Sequence, residues 1–253
     1  MAADIRRRWR SIRVIGLFLR PLLTVIVRRR WKGMDNIPDS GFVFAVNHIA
    51  HIDPLMVSHF LYDQDISPRF LAKDSLFKVP VLGWIMRVTG QIPVLRNTRS
   101  AADAFARSES AVEEGGCVIF YPEGTISRDP DLWPMRGKTG AARVALETGC
   151  PLLPVAQWGS HEVLYPYTKR PRLIPRKTVS FNVGAPVDLG DLRDKPVSAA
   201  TVREATDRLM RDISALLGEI REATPPPEPY DPAAAKRDAG PDPEQPDPEQ
   251  REN

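Results

Sequence analysis

The chain has 253 residues, 42% of them hydrophobic and 26% charged, with a net charge of +3 and two cysteines. That length suits one α/β domain with a full hydrophobic core, or at most two small ones. The charge is polarised: residues 1–33 carry ten Arg and Lys against Asp4 alone (+9), residues 224–253 carry eight acids against three bases (−5), and the stretch between them is near neutral at −1. A neutral body with one basic end fits a docking segment and argues against a nucleic-acid-binding surface.

Taken from the N-terminus, the apolar stretches 14–19 and 22–27 are split by Arg20-Pro21. Neither half approaches the ~20 apolar residues of a spanning helix. A signal peptide would need an unbroken apolar region; an Arg-rich transit peptide stays open, although residues 31–38 lead directly into the domain. The remaining reading is an interfacial helix or helix pair, with Trp9, Ile12, Ile15, Leu19, Leu22 and Leu23 for the lipid side. Its Arg clusters would meet anionic headgroups, each for ~1 kcal/mol. The alternative is a helix packed on the domain with its basic face in water.

The apolar pattern then alternates. Residues 42–46 read as a buried strand, with helix after Pro54; 90–94 as a short strand, 101–114 as helix, 117–121 as strand and 139–148 as helix. Residues 152–156 and 179–183 follow as strands, and 199–222 as an amphipathic helix. The expected fold is α/β, a mixed and largely parallel sheet flanked by helices, preceded by the membrane-interface segment. The expected division is 1–32 for that segment, 33–223 for the domain and 224–253 for an acidic, Pro-rich, disordered tail. Cys117 and Cys150 each adjoin an apolar run and read as small core residues in a reducing compartment.

Two loops carry chemistry. His48 and Asp53 follow the strand at 42–46, and Glu123-Gly124-Thr125 follow the strand at 117–121. In an open α/β sheet such loops gather at the carboxyl ends of strands. Asp53-Pro54 is also a good helix start, with Asp53 as N-cap. Five positions along a helix lie about 140° apart, so His48 reaches Asp53 only from the preceding loop. His51, nearer to Asp53 in sequence, competes with His48 for the role of base. A metal site built from His48, His51 and Asp53 lacks a second ligand cluster, and no Gly-x-Ser-x-Gly elbow is present.

Four blocks in order are more specific than either loop: Asn47-His48 to Asp53, Gly90-Gln91-Ile92-Pro93-Val94-Leu95-Arg96, Tyr121-Pro122-Glu123-Gly124-Thr125, and Pro151-Leu152-Leu153-Pro154-Val155. Together they resemble the glycerolipid acyltransferase family, whose best-known members are the 1-acyl-glycerol-3-phosphate acyltransferases. The resemblance covers about residues 33–190, including Ala72-Lys73 and residues 137–143. It implies transfer of an acyl group from acyl-CoA or acyl-carrier protein to the hydroxyl of lysophosphatidic acid, with no acyl-enzyme, no metal and no further cofactor. Acylation of another lysolipid or of glycerol 3-phosphate, or a catalytically silent lipid-binding protein of the same fold, are the alternatives. By the resemblance His48 is the general base and Asp53 its orienting carboxylate. Arg96, Glu123, Gly124, Thr125 and Arg128 would bind the acceptor, and Lys73 a phosphate or oxyanion. The implied setting is the cytoplasmic face of the cell membrane, held peripherally. Two positions depart from the family pattern: Ala50 stands where Ser is common, and Ile126 where the third block usually has Arg.

Overall fold

The run Phe42-Val43-Phe44-Ala45-Val46 is buried at every position, as a parallel strand with helices on both faces requires. It is the centre of the fold. The computed structural model describes residues 2–94, 99–168, 170–232 and 234. In chain order the elements are α1 (Ala2–Ile26), β1 (Val27–Lys32), β2 (Phe42–Val46), α2 (Asp53–Tyr62), β3 (Pro68–Lys73), α3 (Asp74–Phe77), α4 (Leu82–Val88) and β4 (Ile92–Val94). Then come α5 (Arg99–Glu113), β5 (Cys117–Phe120), α6 (Gly140–Thr148), β6 (Leu152–Trp158), α7 (Ser160–Val163), β7 (Lys177–Val183), α8 (Gly190–Arg193) and α9 (Ala199–Arg221). The described strands form one seven-stranded sheet in the order β1-β7-β6-β2-β5-β3-β4. Every pairing is parallel except β6 with β7.

Side chains alternate across β2 and so divide the core in two. Val43 and Ala45 pack with Val118, Leu152 and the inner faces of α5, α6 and α9. Phe42, Phe44 and Val46 pack on the other side with Phe60, Phe181 and Leu23, under α1 and α2.

Two strands escaped the sequence pattern for a shared reason. β1 reads Val-Arg-Arg-Arg-Trp-Lys and buries only Val27. As an edge strand it shows its charges to water, where they also deter pairing with another chain. β3 begins at Pro68 and carries Arg69 and Lys73, so it lacks a clean apolar period. Residues 27–32, grouped from sequence with the basic N-terminal segment, therefore belong to the sheet.

α1 is a single helix that continues through Pro21. It is fastened by Arg13 to Asp65 (3.1 Å) and by Arg20 to Asp63 (2.5 Å), while Arg29 of β1 also reaches Asp63 (2.6 Å). The expected lipid side is corrected here. Ile12, Ile15, Leu19 and Leu23 turn inward, toward a cleft and the core, and the exposed apolar stripe is Val14, Leu17, Phe18, Leu22 and Val25. The C-terminal half of α1, residues 14–26, is apolar on nearly all sides, with Arg20 its one charge, so periodicity alone had no basis for choosing a face there. No helix among the described residues is long and apolar enough to cross a membrane.

The tail also departs from expectation at its start. Arg136 N donates to Tyr230 O (3.0 Å), Met135 and Tyr230 form a parallel bridge, and Arg136 pairs with Asp231 (3.6 Å). A single aromatic anchor and two polar contacts hold a segment whose composition read as disordered. Residues 233 and 235–253 lie outside the described residues. Cys117 and Cys150 are free and buried.

Candidate active site

Three neighbouring parallel strands, β5, β2 and β6, end on one edge of the sheet. That edge gathers His48 after β2, Tyr121 to Thr125 after β5, and Gly159-Ser160 after β6. At the end of β2, the Asn47 amide bonds the backbone of Gln157 through Nδ2 (3.1 Å) and Oδ1 (2.7 Å), and Gln157 Nε2 returns a bond to Asn47 O (2.8 Å). This buried exchange prolongs the β2–β6 ladder by side chains. It fixes the backbone one residue before His48.

His48 leaves the strand in a loop, and its Nδ1 lies 2.8 Å from Asp53 Oδ2. The same carboxylate oxygen accepts from Ile49 N (2.7 Å) and Ala50 N (2.9 Å), and Oδ1 accepts from Ser160 Oγ (2.5 Å). Asp53 is thus fully buried yet met by four donors, which is what an interior carboxylate needs. An acceptor-only carboxylate assigns the proton to His48 Nδ1 and leaves the Nε2 lone pair free. The N-cap expected at Asp53 is corrected: Ile52 occupies the cap position, with no side-chain cap bond, and the Asp53 side chain turns back to the loop. His51 is exposed and packs edge-on against Tyr167, with ring centroids 6.2 Å apart. Asp53 therefore selects His48 of the two histidines.

The loop after β5 holds His48 from behind. Glu123 Oε1 accepts from His48 N (2.8 Å) and Oε2 from Met135 N (3.0 Å), while Ser127 N donates to His48 O (2.7 Å). Glu123 was expected to touch acceptor, but it is buried beneath the site with both oxygens engaged by backbone. Burial outweighs the two N–H donors and pushes its carboxyl up to about 8. The Tyr121 ring stacks on the imidazole, centroids 4.2 Å apart at 25°. Its buried hydroxyl has no protein partner among the described residues, and burial raises its pKa.

His48 opens onto a cleft of about 1090 Å³ that runs from the strand ends to the underside of α1. Its interior is apolar, with Leu19, Leu23, Phe70, Ile85, Met86 and the buried Ile126; its mouth holds the more exposed Lys73, Gly124, Thr125 and Lys138. Gly124 has φ +70°, and a Cβ there would come within 2.5 Å of Lys138 Nζ. Glycine at 124 thus lets Lys138 lie over the loop. Arg128 is exposed and does not line the cleft, whereas Ile126 does. The position of the missing guanidinium is accordingly filled by an apolar wall, with Tyr167 OH bonded to Ile126 O (3.2 Å) beside it. Arg96 falls outside the described residues. Among those residues no group of three or more His, Cys, Asp or Glu is arranged to hold a metal ion.

Sequence reasoning missed Ser160, which lies 107 residues from Asp53. Its place depends on Gly159, at φ +99°, where a Cβ would meet Thr178 O at 1.9 Å. A Gly after a strand could have flagged the turn but not its partner. Lys138 was read only as part of a matching block, and Tyr121 without a role.

The acyltransferase family model matches residues 11–158. A chloroplast 1-acyl-sn-glycerol-3-phosphate acyltransferase of Brassica napus is 34% identical over 136 residues, 53% of this chain and 38% of that protein. One of Borreliella burgdorferi is 36% identical over 131 residues, 51% of this chain and 50% of that protein. The matched stretch thus spans half the length or less of these relatives. The crystal structure of the 1-acyl-sn-glycerophosphate acyltransferase PlsC from Thermotoga maritima shares the fold, with a TM-score of 0.61 at 24% identity over 83% of this chain and 78% of that one.

Proposed function

The chain belongs to the acyltransferase family, and from that premise we propose that it transfers a fatty acyl group from acyl-CoA or acyl-carrier protein to the hydroxyl of lysophosphatidic acid, giving phosphatidic acid. The observation that carries this reading is the imidazole of His48, oriented by Asp53 on one nitrogen and open on the other to a cleft with an apolar interior. Nε2 takes the hydroxyl proton as that oxygen attacks the thioester carbonyl. The C–O bond forms, the C–S bond breaks, and the proton held by His48 passes to the departing thiolate. Asp53 stabilises the transient imidazolium and keeps its own four donors. Tyr121 limits the ring to one plane. No residue needs to become acylated.

The phosphate of the acceptor would meet Lys73 and Lys138 at the mouth. Lys138→Ala is expected to raise KM for lysophosphatidic acid by about 10- to 100-fold, the loss of one charge-assisted contact. Arg128→Ala should leave it within twofold. Steady-state kinetics on both variants, with acceptor and donor varied separately, checks this; an unchanged acceptor KM for Lys138→Ala removes it from the phosphate site. Ile126 favours a second reading, in which the acceptor is a lysolipid with a capped phosphate. Purified protein incubated with labelled acyl-CoA and a panel of lysolipids separates the two by product. No product with any acceptor would defeat the enzymatic reading itself.

We propose peripheral attachment to the cytoplasmic face of the membrane, and what supports the attachment is α1. Its exposed stripe offers Leu17 and Phe18 to lipid, flanked by arginines. Leu17→Asp with Phe18→Asp is expected to cut sedimentation with anionic vesicles without lowering Tm. Deleting residues 1–30 would be a poor test, since Leu23 and Val27 are core residues. Binding by the wild type should also weaken as salt rises, because exposed charges are screened over ~10 Å at 0.1 M.

A further inference from the structure

A second exposed apolar surface adjoins the cleft that α1 lines. From the end of α3 into the first turn of α4 the chain reads Val79-Pro80-Val81-Leu82-Gly83-Trp84, and Val79, Val81, Leu82 and Trp84 are all exposed, Val81 by 71% and Trp84 by 57%. Leu76 and Leu82 line the cleft and are also exposed, so this segment forms its rim. Its tip is rigid. Val81 has φ 61° and ψ −61°, and Leu82 N donates to Pro80 O (2.6 Å), which together define a γ-turn that is rare and strained for a β-branched residue. Gly83 N to Val79 O (2.7 Å), Ile85 N to Val81 O (2.8 Å) and Arg87 Nη1 to Phe77 O (2.7 Å) brace it. A strained backbone that presents two large apolar side chains to water is costly unless something covers them.

Charge says what covers them. Lys78 and Arg87 flank the segment with no acid between them, and Lys78 pairs with Asp74 (3.2 Å) at its start. A basic surround with an apolar tip and a Trp near its base is the composition of a segment seated at an anionic lipid interface. α1, which lines the same cleft, exposes its own apolar stripe, so both exposed apolar surfaces belong to elements of the cleft wall. We propose that residues 79–84 form a second membrane-inserting element, which with α1 seats the mouth of the cleft on an anionic phospholipid monolayer. This rests on the membrane-facing reading of α1 above and extends it to a separate segment. A lipid acceptor and a lipid product would then pass between membrane and cleft without crossing water.

The test uses the full chain and vesicles of brominated phosphatidylglycerol. Bromolipid should quench the tryptophan emission of the bound wild type, and the difference from Trp84→Phe should show that Trp84 supplies a quenched component. The double variant Val81→Asp with Trp84→Asp, neither residue lining the cleft, should lower vesicle affinity about 10-fold or more. It should also lose turnover on vesicle-borne acceptor while keeping it on a dispersed short-chain one. Retained vesicle binding with an unquenched Trp84 would overturn the proposal and leave α1 as the sole attachment. Absence of vesicle binding by the wild type would overturn the membrane reading and this one together. A concentration-dependent dimer abolished by the double variant, with vesicle affinity unchanged, would assign the surface to a second copy of the chain.

Discussion

Replacing His48 by Ala is expected to lower kcat by about 100- to 10,000-fold, the usual range for removal of a general base, with Tm unchanged. The side chain is partly exposed and its only hydrogen bond among the described residues is the one from Nδ1 to Asp53. The backbone bonds that hold the loop, His48 N to Glu123 and Ser127 N to His48 O, survive the substitution. Asp53→Asn should also lower kcat, by a different route. The Asn amide nitrogen can turn to Ser160, whose hydroxyl accepts as well as donates, and leave its oxygen to His48, Ile49 N and Ala50 N, but those three bonds lose their charge assistance and the imidazolium loses its counter-charge. The two variants differ in stability: Asp53→Asn lowers Tm and His48→Ala does not. Kinetics with saturating donor and thermal melts on the same preparations check both. Wild-type turnover in His48→Ala would sink the mechanism, and equal activity loss in His51→Ala would reopen the choice of base.

Glu123→Ala is expected to be the most damaging substitution to the fold around the site. It would strand two backbone donors, His48 N and Met135 N, at about 1–3 kcal/mol each, and open a cavity where a full side chain stood. A fall in Tm on the order of 10 °C follows for a domain of this size. Glu123→Gln keeps the shape and one acceptor, and should cost roughly half as much. The pH dependence separates their causes. Burial pushes the Glu123 carboxyl from its ordinary 4.5 up to about 8, so between those values the folded protein binds more protons than the unfolded chain. Stability contributed by this group is complete below pH 4.5 and is lost as pH rises toward 8, with a total on the order of a few kcal/mol. Wild type should therefore lose Tm across that window relative to Glu123→Gln, which does not titrate there. A wild-type minus Gln difference that is flat from pH 5 to 8 would show that Glu123 is ionised throughout, held so by its two N–H donors.

Much of this fold was legible in the chain because burial on two faces leaves a plain mark. The runs at 42–46, 117–120 and 152–158 are apolar at nearly every position, and they became β2, β5 and β6. α9 declared itself by its amphipathic period, and the structure adds its Ser198 cap, whose side chain accepts from Thr201 N. The loops after β2 and β5 could be placed on one edge from topology alone, and the four blocks in order pointed to the family that the residues 11–158 match bears out.

What the sequence could not decide were choices made by distant contacts. Local pattern offered His48 and His51 equally to Asp53; the loop geometry, with Ile49 N and Ala50 N bound to the same oxygen, took His48. The sequence named Glu123 but not its direction, which depends on backbone donors 75 residues before and 12 after it. Ser160 gave no signal, since its value lies wholly in reaching Asp53 across the edge of the sheet. β1 carries charge because an edge strand faces water, and β3 because Lys73 ends it in solvent while Arg69 is buried against Glu114, so their strand character came from neighbours in the sheet rather than from their own composition. The C-terminal half of α1 is apolar on nearly all sides, and only the cleft and core beneath it determined which stripe is covered and which is left exposed. Sequence thus set the residues available and the local periods, which depend on short-range geometry. The tertiary structure set partners, direction and exposure, because those are properties of atoms brought together from far along the chain.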